Sequence, residues 1–102
     1  MPYYVYIIRC KDGSYYTGYA KDPEERFKVH KKGLGARYTR IHEPEQLVYL
    51  EQFVSRSQAI KRERKIKTLT HKRKHQLISE AEILIDNKQF VPWRKQNHFS
   101  DI

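Results

Sequence analysis

The chain has 102 residues, which predicts one domain with a small core. Lysine and arginine total 21 against 12 acidic residues, and the net charge of +9 predicts an anionic partner, nucleic acid before an acidic protein or an anionic membrane. A single cysteine, Cys10, excludes an intrachain disulfide and a cysteine-cluster zinc site. The sequence contains no recognisable signal peptide and no stretch long enough to span a bilayer, so we expect a cytoplasmic protein, with association with the nucleoid as an alternative.

The first two predicted elements are strands over residues 3–10 and 14–20, which are rich in Tyr, Val, Ile and Thr. A two-residue turn between them would put Tyr6 and Tyr16 on opposite faces, whereas a three-residue turn, 11–13, pairs Tyr6 with Gly18. Three-residue hairpin loops favour a left-handed residue at their end, where Gly13 stands. The second register is therefore preferred, and it makes Tyr6 and Tyr16 neighbours on one face.

A helix follows at Pro23, with Asp22 as its N-cap and Gly33 as its stop signal. Residues 33–45 contain two glycines, a proline and mixed charge, which predicts a long connection. Residues 46–54 are typical of a third strand. A helix from Ser55 to about Lys67 and another through residue 84, capped by Thr68 or Thr70, complete the prediction.

These elements predict an α/β (α+β) domain, in which a small three-stranded antiparallel sheet is flanked by helices in the order β-β-α-β-α-α. The domain is expected to cover residues 1–83. Residues 84–102 lose periodicity and form a C-terminal tail that is either loosely ordered or docked on the body.

Two of the predicted helices carry polar side chains that could take part in catalysis or metal binding. Arg26 and His30 are four residues apart and share a helix face, which is by itself also typical of a solvated basic surface. Glu63 falls within the apolar stripe of Ala59, Ile60 and Ile66. A carboxylate there must be paired, protonated or bound to a cation, so Glu63 is either an ion-pair partner or a ligand of a divalent metal.

The combination of Tyr4-Val5-Tyr6, Tyr16-Thr17-Gly18, a helical Arg26 and a later helical Glu63 resembles the GIY-YIG nuclease domain. The resemblance extends over residues 3–80 and is closest to small stand-alone bacterial members. It implies the three-stranded sheet described above and a metal-dependent endonuclease that leaves 5′-phosphate and 3′-hydroxyl ends. The chain has Tyr4 where glycine is usual and Tyr19 where many members place a lysine; Lys21 is the nearest lysine.

The resemblance also implies roles for individual residues. Tyr6 matches the tyrosine that activates the attacking water, and Tyr16 matches the one that orients water or phosphate. Arg26 matches the arginine that stabilises the pentacovalent phosphate, and His30 stands where some members place a group that assists proton transfer. Glu63 matches the ligand of Mg²⁺ or Mn²⁺. The close-approach glycine of the motif, a structural residue, corresponds to Gly18.

The basic residues are expected to hold a phosphate backbone, DNA rather than RNA, without reading its sequence. They are Lys21, Lys61, Arg62, Arg64, Lys65, Lys67, Lys72, Arg73 and Lys74. The main hypothesis is an endonuclease, acting on branched or damaged DNA in repair or recombination. Two alternatives stay open: a nucleic-acid-binding module of the same fold without turnover, and a protein that binds an acidic partner protein through residues 61–74.

Overall fold

The computed structural model describes residues 2–87, which form a three-stranded sheet and four helices. The elements in chain order are β1 (Tyr3–Cys10), β2 (Tyr15–Ala20), α1 (Pro23–Lys31), α2 (Arg37–Ile41), β3 (Pro44–Phe53), α3 (Arg56–Lys67) and α4 (His71–Asn87). The sheet is antiparallel with β1 in the centre, in the order β2-β1-β3. The predicted fold class is therefore confirmed. In the part of the chain that the structure describes, no helix combines the length and the apolar character that a membrane span requires.

The hairpin of β1 and β2 has the register of the three-residue turn. Tyr6 lies opposite Gly18 and Ile8 opposite Tyr16, and Gly13 ends the turn at a φ of 86°. The Cys10 amide donates to the carbonyl oxygen of Ser14 at 2.8 Å, and the Gly13 amide donates to the carbonyl oxygen of Cys10 at 2.9 Å, which closes the loop. The prediction that Tyr6 and Tyr16 share a face is confirmed, because side chains alternate along each strand.

The sheet has a different layer on each face. On one face, Val5 and Ile7 pack with Ala59 and Ile66 of α3 and with Ile78 of α4. The other face carries the alternate residues of β1, including the buried Tyr6, Ile8 and Cys10, which pack with Phe27 of α1. Tyr6 thus stands on the face that α1 covers.

Three predicted helix caps are observed. Asp22 accepts a hydrogen bond from the Glu25 amide at the start of α1, and Ser55 accepts one from the Gln58 amide at the start of α3. Of the two candidates for α4, Thr70 is the cap, since its hydroxyl accepts from the Arg73 amide at 3.2 Å. Each cap satisfies a backbone N–H that has no partner within its own helix.

The structure corrects the prediction for residues 33–45, which are not a plain connection. They contain α2, a five-residue helix whose N-cap, Ala36, makes no side-chain hydrogen bond. The last helix, predicted through residue 84, continues to Asn87. The predicted tail is residues 84–102, and from residue 88 onward it lies outside the described residues.

Candidate active site

The centre of the site is Tyr6, whose ring crosses the neighbouring strand above Gly18. A Cβ atom at position 18 would lie 2.6 Å from Oη and 2.7 Å from Cζ of Tyr6. Tyr16 stands beside it, with 6.3 Å between the ring centroids. Only a residue without a side chain lets the phenol approach the strand this closely, so Gly18 determines where the Tyr6 hydroxyl lies.

His30 lies behind Tyr6 and is fully buried. Its Nε2 is 3.0 Å from the Tyr6 hydroxyl, and its Nδ1 is 2.6 Å from Oγ1 of Thr39. The Thr39 hydroxyl donates its one proton to the carbonyl oxygen of Ala36 at 2.9 Å, so it must accept from Nδ1–H of His30. In a neutral imidazole Nε2 then has no proton, and it accepts the O–H of Tyr6.

The electrostatics of the site keep both members of this pair neutral. Burial and then the positive charge of Arg26 lower the pKa of His30 to about 4. Burial and then the nearby Tyr16 raise the pKa of Tyr6 well above 10, and Arg26 opposes that shift. Burial raises the pKa of Tyr16 as well. Both phenols therefore carry their protons at neutral pH, and Nε2 of His30 is available as an acceptor.

Arg26 and Glu63 stand at the rim of the site on different helices. Arg26 is exposed on α1, close enough to lower the pKa of Tyr6 and that of His30. The Glu63 side chain on α3 is 14% exposed, and its carboxylate helps to raise the pKa of Tyr6 and of Tyr16. The five residues predicted to be catalytic are thus brought together: Tyr6, Tyr16, Arg26, His30 and Glu63.

Glu63 is the group that could hold a metal ion. Its carboxylate is 3.5 Å from Nζ of Lys67, one turn along the helix, and an ion pair this exposed on one side contributes little energy. Within the described residues no three His, Cys, Asp or Glu side chains form a metal-binding group. A single carboxylate fits Mg²⁺ or Mn²⁺ in a site that a substrate phosphate and waters complete, because these cations prefer oxygen ligands and keep several waters.

Sequence reasoning missed two residues that position His30. Thr39 fixes the tautomer, as described above. A Cβ atom at Gly35 would lie 2.8 Å from Cε1 and 2.9 Å from Cγ of His30, and closer still to Nδ1, so the backbone at 35 packs directly on the imidazole. The available signal was a glycine next to a short polar segment, which is typical of any loop.

The predicted phosphate-binding residues differ in their surroundings. Arg62 donates from Nε to Glu51 at 2.9 Å and is half-buried, and the Lys21 ammonium lies over the ring of Tyr3, 5.5 Å from its centroid. Burial and the nearby Lys67 lower the pKa of Lys74. The remaining six are exposed: Lys61, Arg64, Lys65, Lys67, Lys72 and Arg73.

The low pKa of His30 predicts an acid-sensitive fold. Between about pH 6.5 and 4 the unfolded chain binds a proton that folded His30 does not, so this group makes the free energy of unfolding fall as the pH falls through that window. The slope is at most about 1.4 kcal/mol per pH unit. Urea unfolding of wild type and His30→Gln at several pH values measures it. The difference between the two curves should change through this window, and parallel curves would contradict the buried, neutral state of His30.

Comparison with known proteins identifies the family to which this chain belongs. The family model described as the GIY-YIG catalytic domain matches residues 2–76. A UPF0213 protein of Staphylococcus saprophyticus is 56% identical over 79 residues, which are 78% of this chain and 96% of that protein. A UPF0213 protein of Staphylococcus aureus is 50% identical over 78 residues, or 76% of this chain and 95% of the relative.

Two solved structures are also similar. The solution NMR structure of a UPF0213 protein from Bacillus halodurans has a TM-score of 0.51 at 39% identity and covers 98% of both chains. The solution NMR structure of a protein from E. faecalis has a TM-score of 0.57 at 38% identity, covering 81% of this chain and 88% of the other.

Proposed function

Because the chain belongs to the GIY-YIG catalytic domain family, we propose that it is a metal-dependent endonuclease that hydrolyses phosphodiester bonds in DNA. The observation that carries the proposal is the buried hydrogen bond from the Tyr6 hydroxyl to Nε2 of His30. It gives the hydroxyl an acceptor for its proton at the moment when it takes one from water. Action on branched or damaged DNA in repair or recombination is part of the same proposal.

The proton path begins at the attacking water. Water forms a bond to phosphorus while the bond from phosphorus to the 3′ oxygen breaks. The water gives a proton to Oη of Tyr6, and Tyr6 passes its own proton to Nε2 of His30. The 3′ oxygen takes a proton from solvent, which leaves a 3′-hydroxyl and a 5′-phosphate. Tyr6 is unchanged in charge, so no phenolate has to form on a group whose pKa burial has raised.

Arg26 and Glu63 deal with the negative charge of the phosphate. The guanidinium of Arg26 is exposed at the rim and can stabilise the charge that develops on the phosphate oxygens. Glu63 would hold Mg²⁺ or Mn²⁺ together with waters. When bound, the cation supplies further charge stabilisation for the phosphate and for the leaving oxygen. Tyr16, whose ring centroid is 6.3 Å from that of Tyr6, would orient the water or the phosphate.

Substrate binding would also make His30 a better base. Arg26 lowers the pKa of His30 in the free protein. A phosphate paired with Arg26 neutralises that charge, which removes one cause of the low pKa. The acceptor nitrogen would therefore gain proton affinity when a substrate is present, which couples phosphate binding to the proton path.

A binding module without turnover is the second candidate, and one observation favours it. Burial raises the pKa of Tyr6 and lowers that of His30, so both shifts oppose the transfer of a proton from the phenol to the imidazole. If substrate and metal do not offset these shifts, the same residues hold DNA and cut it very slowly.

The test is nicking of supercoiled plasmid and of a branched DNA with Mg²⁺ or Mn²⁺ and with EDTA. Cleavage that requires the metal supports the endonuclease. No cleavage, together with salt-sensitive DNA binding, favours the binding module, and no binding at all favours a partner protein.

DNA affinity is expected to fall steeply as salt is raised, with a log–log slope of about −0.9 for each phosphate neutralised. Burial and then the nearby positive charge of Lys67 lower the pKa of Lys74. A DNA phosphate bound beside the two lysines would relieve their repulsion, so Lys74→Gln should make the slope shallower by about one. Arg62→Gln is the matched control, because Arg62 is already paired with Glu51. Titrations by fluorescence anisotropy at several salt concentrations give both slopes. A flat response of wild type would exclude the phosphate backbone as the partner.

A further inference from the structure

The surface formed by residues 34–42, which includes α2 and is called the α2 surface below, exposes apolar and aromatic side chains beside the site. Every residue of α2 except Thr39 is exposed. Leu34 is 74% exposed, Ile41 is 67% exposed and Tyr38 is 36% exposed. Apolar and aromatic side chains therefore face solvent beside the segment that positions His30, and the function proposed above does not use them.

Two aromatic rings of this α2 surface continue outward from Tyr16 in the active site. The Tyr16 ring is 5.9 Å from that of Tyr38, and Tyr38 stacks on His42 with 4.2 Å between centroids and 26° between planes. The His42 ring is held in place, since Nδ1 is hydrogen bonded to Asp12, which also accepts from the amide and hydroxyl of Ser14. These rings form an ordered series of aromatic faces that begins at a residue of the proposed catalytic set.

The charge of the same surface fits a nucleic acid strand. Arg37 and Arg40 are exposed on α2, and neither forms an ion pair with any residue that the structure describes. Other basic side chains on this chain do have acidic partners, such as Arg9 with Glu45. Unpaired guanidinium groups beside exposed aromatic rings are the combination that single-stranded nucleic acid uses, with phosphates on the cations and bases on the rings.

We propose that the α2 surface binds an unpaired nucleotide of the DNA substrate, with its base stacked on the Tyr38–His42 rings and its phosphates at Arg37 and Arg40. This inference rests on the proposed function and specifies its substrate class: DNA with an unpaired segment at the cleavage site, as in a flap, a frayed end or a single strand. In intact duplex DNA both faces of each base are covered by neighbouring bases, so aromatic rings on the protein can gain nothing by stacking. Cationic side chains that contact phosphates would be enough to bind a duplex, without any aromatic ring.

The experiment compares binding of oligothymidylate and of a duplex of the same length by fluorescence anisotropy, in EDTA so that no strand is cut. We expect Tyr38→Leu to weaken binding of the single strand at least about fivefold, since one stacked base contributes that much or more, and to leave duplex binding unchanged. Tyr38→Phe keeps the ring and should bind as wild type does. Val54→Ala, at another exposed apolar position, is the control for surface changes in general.

A second readout separates stacking from a structural effect. 2-Aminopurine placed in the single strand should lose fluorescence on binding wild type and Tyr38→Phe, and should keep it with Tyr38→Leu. Equal loss of single-strand and duplex binding in Tyr38→Leu, or no loss, would overturn the proposal. Self-association of wild type that Tyr38→Leu removes, with DNA binding unchanged, would assign the surface to a second copy of the chain instead. These binding measurements need no cleavage. They can therefore contradict the single-strand proposal while the endonuclease proposal holds, and they can support it even if no cleavage is found.

Discussion

Glu63→Gln is expected to reduce metal-dependent cleavage by at least about a hundredfold while the protein stays folded. A cation that polarises a phosphate contributes several kcal/mol of transition-state stabilisation, and each 1.4 kcal/mol is a factor of ten in rate. Glutamine has the shape of glutamate but no charge, so it keeps the packing of α3 and loses the cation. Among the residues that the structure describes, the ion pair lost is the one with Lys67, whose side chain is half exposed, so the free energy of unfolding should change by less than about 1 kcal/mol.

The measurement is single-turnover cleavage of plasmid DNA with Mg²⁺ and with Mn²⁺, with urea unfolding of the same preparations. Glu80→Gln is the matched control. Glu80 is an exposed carboxylate on α4, and its substitution changes the net charge by the same amount as Glu63→Gln. Full activity of Glu80→Gln beside an inactive Glu63→Gln locates the effect at one carboxylate. Equal cleavage by both variants would show that Glu63 is not the metal ligand, or that the cleavage comes from a contaminant.

The parts of the fold that sequence predicted are those with a local cause. The hairpin register follows from Gly13, which adopts a φ of 86° that other residues avoid. The start of α1 follows from Asp22 and Pro23, and the start of α3 from Ser55. Glu63 could be placed on the inward side of α3 because its spacing puts it on an apolar stripe with Ala59 and Ile66, both of which are buried in the structure. Each prediction used residues within one hairpin or about two turns of a helix.

The parts that sequence did not predict depend on contacts between distant segments. Nothing local marks α2 as a helix, since it has five residues and no side-chain cap. Its one buried residue, Thr39, is hydrogen bonded to His30 of α1, which joins α2 to the rest of the fold. The protonation state of His30 likewise follows from a hydrogen bond to a residue nine positions away and another to Tyr6, 24 positions away. No periodicity or spacing rule reports such pairs.

The basic residues in 61–74 show a second limit of prediction from sequence, which concerns the pairing of surface charges. Sequence treats Arg62 and Arg64 alike, because both are arginines on α3. In the structure their surroundings differ, because Arg62 donates a hydrogen bond to Glu51 of β3. The same carboxylate accepts a hydrogen bond from the Tyr49 hydroxyl at 2.7 Å. Charge counts therefore predict that DNA is bound, but not which cations remain available to bind it.

Gly18→Ala is expected to lower cleavage at least about a hundredfold without altering any group that takes part in the chemistry. The added methyl would lie 2.6 Å from the Tyr6 hydroxyl, so the phenol must move away from its hydrogen bond with His30. Displacing a catalytic group by about 1 Å costs about that factor. The collision should also lower the free energy of unfolding by about 1–3 kcal/mol, because the ring of Tyr6 is buried and cannot swing into solvent.

Thr17→Val is the matched control for a change in the same strand. Thr17 is buried, and its hydroxyl has no hydrogen-bond partner among the residues that the structure describes. Valine removes this unsatisfied group, so the variant should cleave as wild type does and be equally or more stable. The double variant Gly18→Ala/Tyr6→Phe then tests the cause. If the methyl acts by displacing the Tyr6 hydroxyl, cleavage by the double variant should be no lower than by Tyr6→Phe alone, whereas losses that multiply would mean that Gly18 acts on a different part of the site.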